Sequence, residues 1–259
     1  ANAKGLGKGA GSISGELIAT SFNIGKMLGS GPIGYVNSDA TFNASVKGRD
    51  IDGEINLYVS DFEMNGAVYA GLALEGEKSG ESVKGRLTVD NDIARAAADF
   101  RGVVAGDESQ LHLICDVDEF NLMLAGLAPG RQASSLAGAV TVDIIGNNLD
   151  NIIGEIRVND FCYATEKKSL ELQKLLLISS VDDSTRHLNL HSDWVEGNIE
   201  GNFKVKDIPV VMRHILSETL PSLFTDAFDK EEEGVEMDFS FLVNPVNDVP
   251  EFFNFPIRF

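Results

Sequence analysis

The feature that most constrains this chain is a hydrophobic period of two, repeated in segment after segment. Ala40, Phe42, Ala44 and Val46 alternate with Asp39, Thr41, Asn43, Ser45 and Lys47. Ile55, Leu57 and Val59 do the same, as do Val68, Ala70, Leu72 and Leu74, then Val83, Gly85, Leu87 and Val89. The pattern continues through Leu111, Leu113, Cys115 and Val117, through Val140, Val142 and Ile144, and through Ile156 and Val158. It resumes at Leu188 and Leu190, at Ile199, Phe203 and Val205, and at Val235, Met237, Phe239, Phe241 and Val243. Successive side chains on a strand point to opposite faces, so each segment is a strand with one apolar and one wet side.

Polar turn clusters separate these strands: Gly48-Arg49-Asp50, Asn65-Gly66, Glu77-Lys78-Ser79-Gly80, Gly106-Asp107, Asp182-Asp183-Ser184 and Glu196-Gly197-Asn198. Asn-Gly is a strong tight-turn signal. A doubly wound α/β fold needs a helix between most strands, and no such helices are visible. The best helical stretch runs from Asp207 to Phe228, where Met212, Leu216, Leu220, Leu223 or Phe224, and Phe228 recur at helical spacing and Pro221 interrupts. Short helical turns are expected around 22–29 and 118–127. The predicted fold is mainly β, built of repeated amphipathic strands that hide their apolar faces either by folding the sheet over on itself or by packing against a second sheet, with one short helical segment near 207–228.

The chain of 259 residues carries 21 Lys and Arg against 40 Asp and Glu, a formal charge of −19. That excludes a general nucleic-acid or anionic-membrane surface, which needs basic patches. No apolar run approaches the ~20 residues of a spanning helix, so the piece reads as soluble. It starts at Ala1 without a Met or a signal peptide and reads as a segment of something longer. Cys115 and Cys162 are too few for a disulfide scaffold; they could pair once or be small buried side chains.

A weak internal repeat is present. Val46 to Ile55 followed by Asp61-Phe62 resembles Ile144 to Ile156 followed by Asp160-Phe161, and both copies run strand, polar turn, Gly-Glu-Ile, Asp-Phe. This divides the chain into a Gly-rich leader with a first strand or short helix (1–37), a first β repeat (38–135), a second (136–206) and a helical segment with final strands (207–259), all within one continuous unit. Gly5, Gly7, Gly9 and Gly11 belong to the flexible leader.

Motifs for chemistry fail when tested. Gly29, Gly31 and Gly34 spell G-x-G-x-x-G, but Pro32 sits inside and a strand follows, whereas a dinucleotide site needs the motif to open a helix. Lys8 lacks the Ser or Thr of a phosphate loop. His187 and His191 lie four apart on a strand, on its wet face, where solvation is the simpler role. Asp116, Asp118 and Glu119, or Asp90 and Asp92, do not match a calcium loop, and no nucleophile elbow is present. No catalytic residue, metal or cofactor is expected.

The order of segments nevertheless resembles a known family. Phe22-Asn23-Ile24-Gly25-Lys26-Met27-Leu28-Gly29 leads through Ile33-Gly34 to the strand ending Val46-Lys47-Gly48. Leu72-Ala73-Leu74-Glu75-Gly76, Gly85-Arg86-Leu87-Thr88-Val89-Asp90-Asn91 and the 118–127 segment follow. Over residues 11 to 206 this resembles the TamB translocation and assembly module of Gram-negative bacteria, in a Bacteroidetes-like form, a relative of the AsmA-like bridge-shaped proteins. The resemblance implies an internal periplasmic piece of an inner-membrane-anchored protein, with an elongated, curved, taco-like sheet around an apolar trough. It also implies an outer-membrane TamA-like partner, and phospholipid acyl chains or nascent outer-membrane β-strands as cargo. The alternation puts Phe42, Ala44, Val46, Leu57, Val59, Leu72, Leu74, Leu87, Leu113, Val142, Val158 and Phe203 forward as trough residues; the same residues would also suit a closed core.

Two other readings stay open at this stage. A closed β-sandwich serving as an adhesion or carbohydrate-binding module would expose aromatic residues such as Tyr58, Tyr69 and Trp194. A periplasmic hydrolase has no motif in its favour.

Overall fold

A computed structural model describes residues 2–4, 10–29, 33–48, 50–64, 66–127, 133–208 and 236–244. They form one antiparallel sheet of fourteen strands, each hydrogen-bonded to its neighbours in sequence. The strands are β1 (Asn2–Lys4), β2 (Ala10–Asn23), β3 (Ile33–Lys47), β4 (Asp50–Met64), β5 (Ala67–Ser79), β6 (Ser82–Asp90) and β7 (Ala94–Val103). They continue as β8 (Gln110–Asn121), β9 (Ser134–Ile145), β10 (Ile153–Thr165), β11 (Ser169–Asp182), β12 (Thr185–Ser192), β13 (Val195–Asn202) and β14 (Glu236–Val243). The first and last strands do not pair, so the sheet is open rather than a barrel. The helix among the described residues is the short α1, Ile24–Leu28.

Tight turns produce this simple order. Lys47 pairs with Asp50, Met64 with Ala67, Ser79 with Ser82 and Asp182 with Thr185, which leaves two residues for each connection. In the last of these, Asp183 and Ser184 both have positive φ, 50° and 97°, the geometry whose twist matches flanking antiparallel strands. Gly66, at φ 78°, fills the second place of the Met64–Ala67 turn; Asn65 lies outside the described residues.

A line of irregularities crosses the sheet. The ladder slips between Ala19 and Phe22 in β2, at Ser60 in β4, at Asp118 in β8 and between Asn159 and Cys162 in β10. Ser21 and Asp160 sit there with φ 48° and 50°, beside Gly71 and Gly138 at φ 67° and 147°. Bulges bend a strand and add twist. They form a crease in β2–β4 and again in β7–β10, while the β5–β6, β6–β7 and β11–β14 ladders run without a slip.

Beyond that crease the strand ends pack a small core. Tyr69, Ile93, Ala94 and Ala125 are buried, with Phe62, Met64, Ala67, Leu72, Val89 and Phe120 against them. The 122–127 turn closes over it, and the Tyr69 hydroxyl donates to the Ala125 carbonyl at 3.1 Å. Burial pushes the Tyr69 phenol above its ordinary pKa. Tyr69 is therefore a core residue, not the exposed aromatic that a carbohydrate site would use.

The two segments of the sequence repeat share further local features. β2–α1–β3–β4–β5 corresponds to β8–turn–β9–β10–β11. In both copies a bulged strand ends in Phe-Asn, Phe22-Asn23 and Phe120-Asn121. Each Asn side chain then accepts from the backbone three residues on: Asn23 from Lys26 N at 2.8 Å, Asn121 from Leu124 N at 3.0 Å. Each turn includes a glycine with positive φ, Gly29 at 67° and Gly126 at 71°. The Asp-Phe pairs fall at the second bulge, where Ser60 is skipped in β4 and Asp160 in β10, one residue out of step with the Asp61–Asp160 alignment. The expected boundaries at 37/38 and 135/136 fall inside β3 and β9.

Other expectations are corrected by the ladder. β2, β7 and β11 are strands that the alternation did not mark. β13 ends at Asn202, so Phe203 and Val205 are not strand residues. Phe203 is buried at the strand's end, and Val205 opens a 3-10 turn that the Asp207 carboxylate caps by accepting from Lys204 N at 2.9 Å. Residues 118–121 belong to β8, and only 122–127 turn. Gly11 lies within β2. The helix expected over 207–228 lies, from residue 209 on, outside the described residues, as do Gly5, Gly7 and Gly9.

Candidate functional site: the apolar face of the sheet

Residues paired directly across an antiparallel ladder share a face, so the register assigns every side chain between the crease and the turns to one side. One row runs unbroken through thirteen strands: Gly15, Phe42, Ile55, Gly76, Gly85, Phe100, Leu113, Val142, Ile156, Leu177, Leu190, Gly197 and Phe241. Each member is apolar or glycine. A parallel row on the same face reads Leu17, Ala40, Leu57, Leu74, Leu87, Ala98, Cys115, Val140, Val158 and Leu175. Nearer the crease lie Val59, Leu72, Val89, Ala96 and Val117.

The opposite face is the wetter one, charged from β4 to β10, although Ile18, Tyr58, Ile114 and Ile178 also lie on it. Its row beside the first reads Glu54, Glu77, Lys84, Arg101, His112, Asp143 and Glu155. Charges there pair across strands: Lys84 with Glu77 at 2.7 Å, Arg86 with Asp99 at 2.9 Å, and His112 with Asp143. His187 faces Glu200 at 3.5 Å on the same side. The Glu77 carboxylate holds the Lys84 ammonium above its ordinary pKa.

The apolar face is half-buried rather than sealed. Among the described residues no large side chain is fully enclosed, and only nine apolar residues count as buried. On the face itself Ile55 is 38% exposed, Phe241 40% and Leu17 57%. A sandwich would cover this face with a second sheet; the described strands all belong to one sheet.

Glycines shape the floor where rings lie on it. A β-carbon on Gly85 would stand 2.5 Å from the Phe100 ring, and one on Gly197 2.6 Å from the Phe241 ring. The floor holds a shallow hollow of about 370 Å³ between Phe42 and Phe100. A second recess of about 290 Å³, almost wholly apolar, lies between Ile144 and Phe241. A larger hollow, of about 780 Å³, lies around Arg101 and His112.

Phe42, Ala44, Val46, Leu57, Val59, Leu72, Leu74, Leu87, Leu113, Val142 and Val158 all lie on the apolar face. Phe203 does not, being off the ladder. The sequence reading missed Ile55, Phe100, Leu177, Leu190 and Phe241 as members of the face. Of these, Ile55, Leu190 and Phe241 stood in the visible alternation, while Phe100 and Leu177 sit in strands whose pattern is blurred by alanine or by a leucine run.

Cys115 sits half-buried in this face and is free, as is Cys162. Desolvation first, and the neighbouring Asp116 charge second, push the Cys115 thiol above its ordinary pKa. Gly29 caps the C-terminus of α1 and Gly34 lies just inside β3, the reverse of the strand-to-helix order a dinucleotide loop needs. Among the described residues no group of three acidic, His or Cys side chains is placed to hold a metal, and no helix is long and apolar enough to cross a membrane. Compared with known protein families, with curated proteins and with solved structures, the chain matches none.

Proposed function

We propose that this chain is a periplasmic section of a TamB-like bridge between inner and outer membranes, and that its apolar face is a trough along which phospholipid acyl chains move. One observation carries the reading: a row of apolar and glycine residues continuous through thirteen strands, on a face left half open. An ordinary globular protein buries such a face, and exposed apolar surface on this scale marks a binding surface.

The energetics suit a conduit. Each methylene leaving water gains ~0.8 kcal/mol, but an acyl chain leaving a bilayer was already out of water. Transfer from membrane to trough is then close to neutral. Movement along the trough meets no deep well while its floor repeats the same chemistry strand after strand. At ~4.8 Å between strands, the fourteen strands extend the floor to the order of 60 Å. The paired charges of the wet face and the net charge of −19 keep so open an object from aggregating.

Nascent outer-membrane β-strands are a second cargo the same face could hold, and a TamA-like protein is the partner the reading calls for at the outer membrane. An adhesion or carbohydrate-binding sandwich has less in its favour, since Tyr69 is in the core and the second sheet is missing from the described residues. The test is lipid extraction and native mass spectrometry of protein purified from cells, with transfer of a fluorescent phospholipid between vesicles. Leu113→Asp and Val142→Asp should abolish both. Thr141→Asp, on the wet face, should leave both intact. Equal behaviour of the three variants would count against the trough.

A further inference from the structure

The apolar face is not uniform: among the described residues it contains one buried cation. Arg186 of β12 lies on this face, paired across the ladder with Val181 and Gly201, and is only 6% exposed. Its side chain borders the recess of about 290 Å³, whose mostly apolar wall includes Leu177, Leu188, Leu190 and Phe241 and also Ser179 and Glu155. Arg186 Nη1 donates to the Ile152 carbonyl and to Ser179 Oγ, both at 3.0 Å, and Nη2 donates to the Asp150 carbonyl. All three acceptors are neutral. A guanidinium has five N–H groups, so two remain for another acceptor.

The carboxylates around the recess are engaged elsewhere. Asp150 accepts from Val205 N at 3.1 Å, Asp207 from Lys204 N at 2.9 Å, and Glu155 pairs with Arg157. Among the described residues no acid lies within ion-pair distance of Arg186. Buried charges are ordinarily paired, because an uncompensated one loses its hydration without return. Here the charge borders an apolar hollow whose volume is near the lower end of small-molecule sites, about 300 Å³.

We propose that this recess is a resting site for an acidic amphiphile, with its carboxylate or phosphate head on Arg186 and its alkyl chain against Leu188, Leu190 and Phe241. Charge-assisted bonds to a guanidinium are the strong ones, and a planar carboxylate or a phosphate fits it well. The inference rests on the trough reading for its setting and adds a stop within it. A uniform trough would pass any acyl chain, whereas this position holds acidic ones.

Isothermal titration of the whole chain with decanoate, decyl phosphate, decanol, decyltrimethylammonium and inorganic phosphate tests it. Decanoate or decyl phosphate should bind at least tenfold more tightly than decanol and decyltrimethylammonium, and inorganic phosphate should give no heat. Which of the two wins tells a fatty carboxylate from a phosphate head. Arg186→Gln should erase the preference and Arg186→Lys should keep part of it. Should Arg186→Gln fail to fold, the head-group series on the unaltered chain decides alone. Equal affinity for decanoate and decanol, or competition by inorganic phosphate alone, would overturn the inference. Decanoate binding by a chain that transfers no phospholipid supports this site and counts against the conduit; transfer with no head-group preference does the reverse.

Discussion

The Phe100 ring lies directly on the backbone of its ladder partner Gly85, so close that a β-carbon there would stand 2.5 Å from the ring and 2.5 Å from the Glu75 carbonyl oxygen. The glycine is what allows an aromatic ring to lie on the trough floor. Gly85→Ala should therefore cost about 1–3 kcal/mol by overpacking, read as a lower urea midpoint. A neutral substitution would mean that the ring does not rest there.

An open face predicts small costs for truncation. Leu113 is half-buried on the floor, so Leu113→Ala should lose about 1–2 kcal/mol, below the 2–5 kcal/mol of a closed core. Chemical denaturation measures this directly. A loss beyond that range would show that something covers Leu113.

The crease depends on backbone that L-residues adopt reluctantly. Asp160 has φ 50°, a region that costs most side chains about 1–2 kcal/mol. Asp160→Gly should hold or raise stability, and Asp160→Val should lower it by about 1–2 kcal/mol. If valine were tolerated as well as glycine, the bulge would not be at Asp160.

Cys115 should report on the trough through pH. Its thiol is raised in the folded chain, by burial and then by Asp116, so the folded state prefers the protonated form. That contribution is complete below the unfolded thiol's pKa and is lost as pH rises through the higher folded value. Stability should fall as pH climbs above about 9, and Cys115→Ser should flatten that part of the curve. Alkylation of Cys115 by iodoacetamide at pH 8 should be slower than in urea; equal rates would contradict a raised thiol.

The fold was legible in the sequence because a one-sided sheet writes its period of two wherever side chains are large. Phe42 to Val46 and Leu111 to Val117 show this. The signal failed in β7, where Ala94, Ala96, Ala97 and Ala98 give both faces the same small side chain. It failed again in β11, where Leu175, Leu176, Leu177 and Ile178 put large apolar groups on both. The repeat was half legible: Asp-Phe was visible, but Phe22-Asn23 and Phe120-Asn121 match only once the bulge and the Asn cap give the pair a meaning. Arg186 could not be picked out from the sequence, because its hydrogen bonds go to the Asp150 and Ile152 carbonyls of a distant segment. That placement depends on pairings between residues 34 to 36 positions apart.

Lipid carried by this sheet should touch one of its sides and not the other. Neighbouring residues on opposite faces test it: Leu113→Trp and Ile114→Trp, each with Trp194→Phe to remove the native indole, titrated with phospholipid brominated on its acyl chains. Quenching of the tryptophan at 113 and not at 114 is the predicted result. Equal quenching at both positions, or none at either, would contradict the trough.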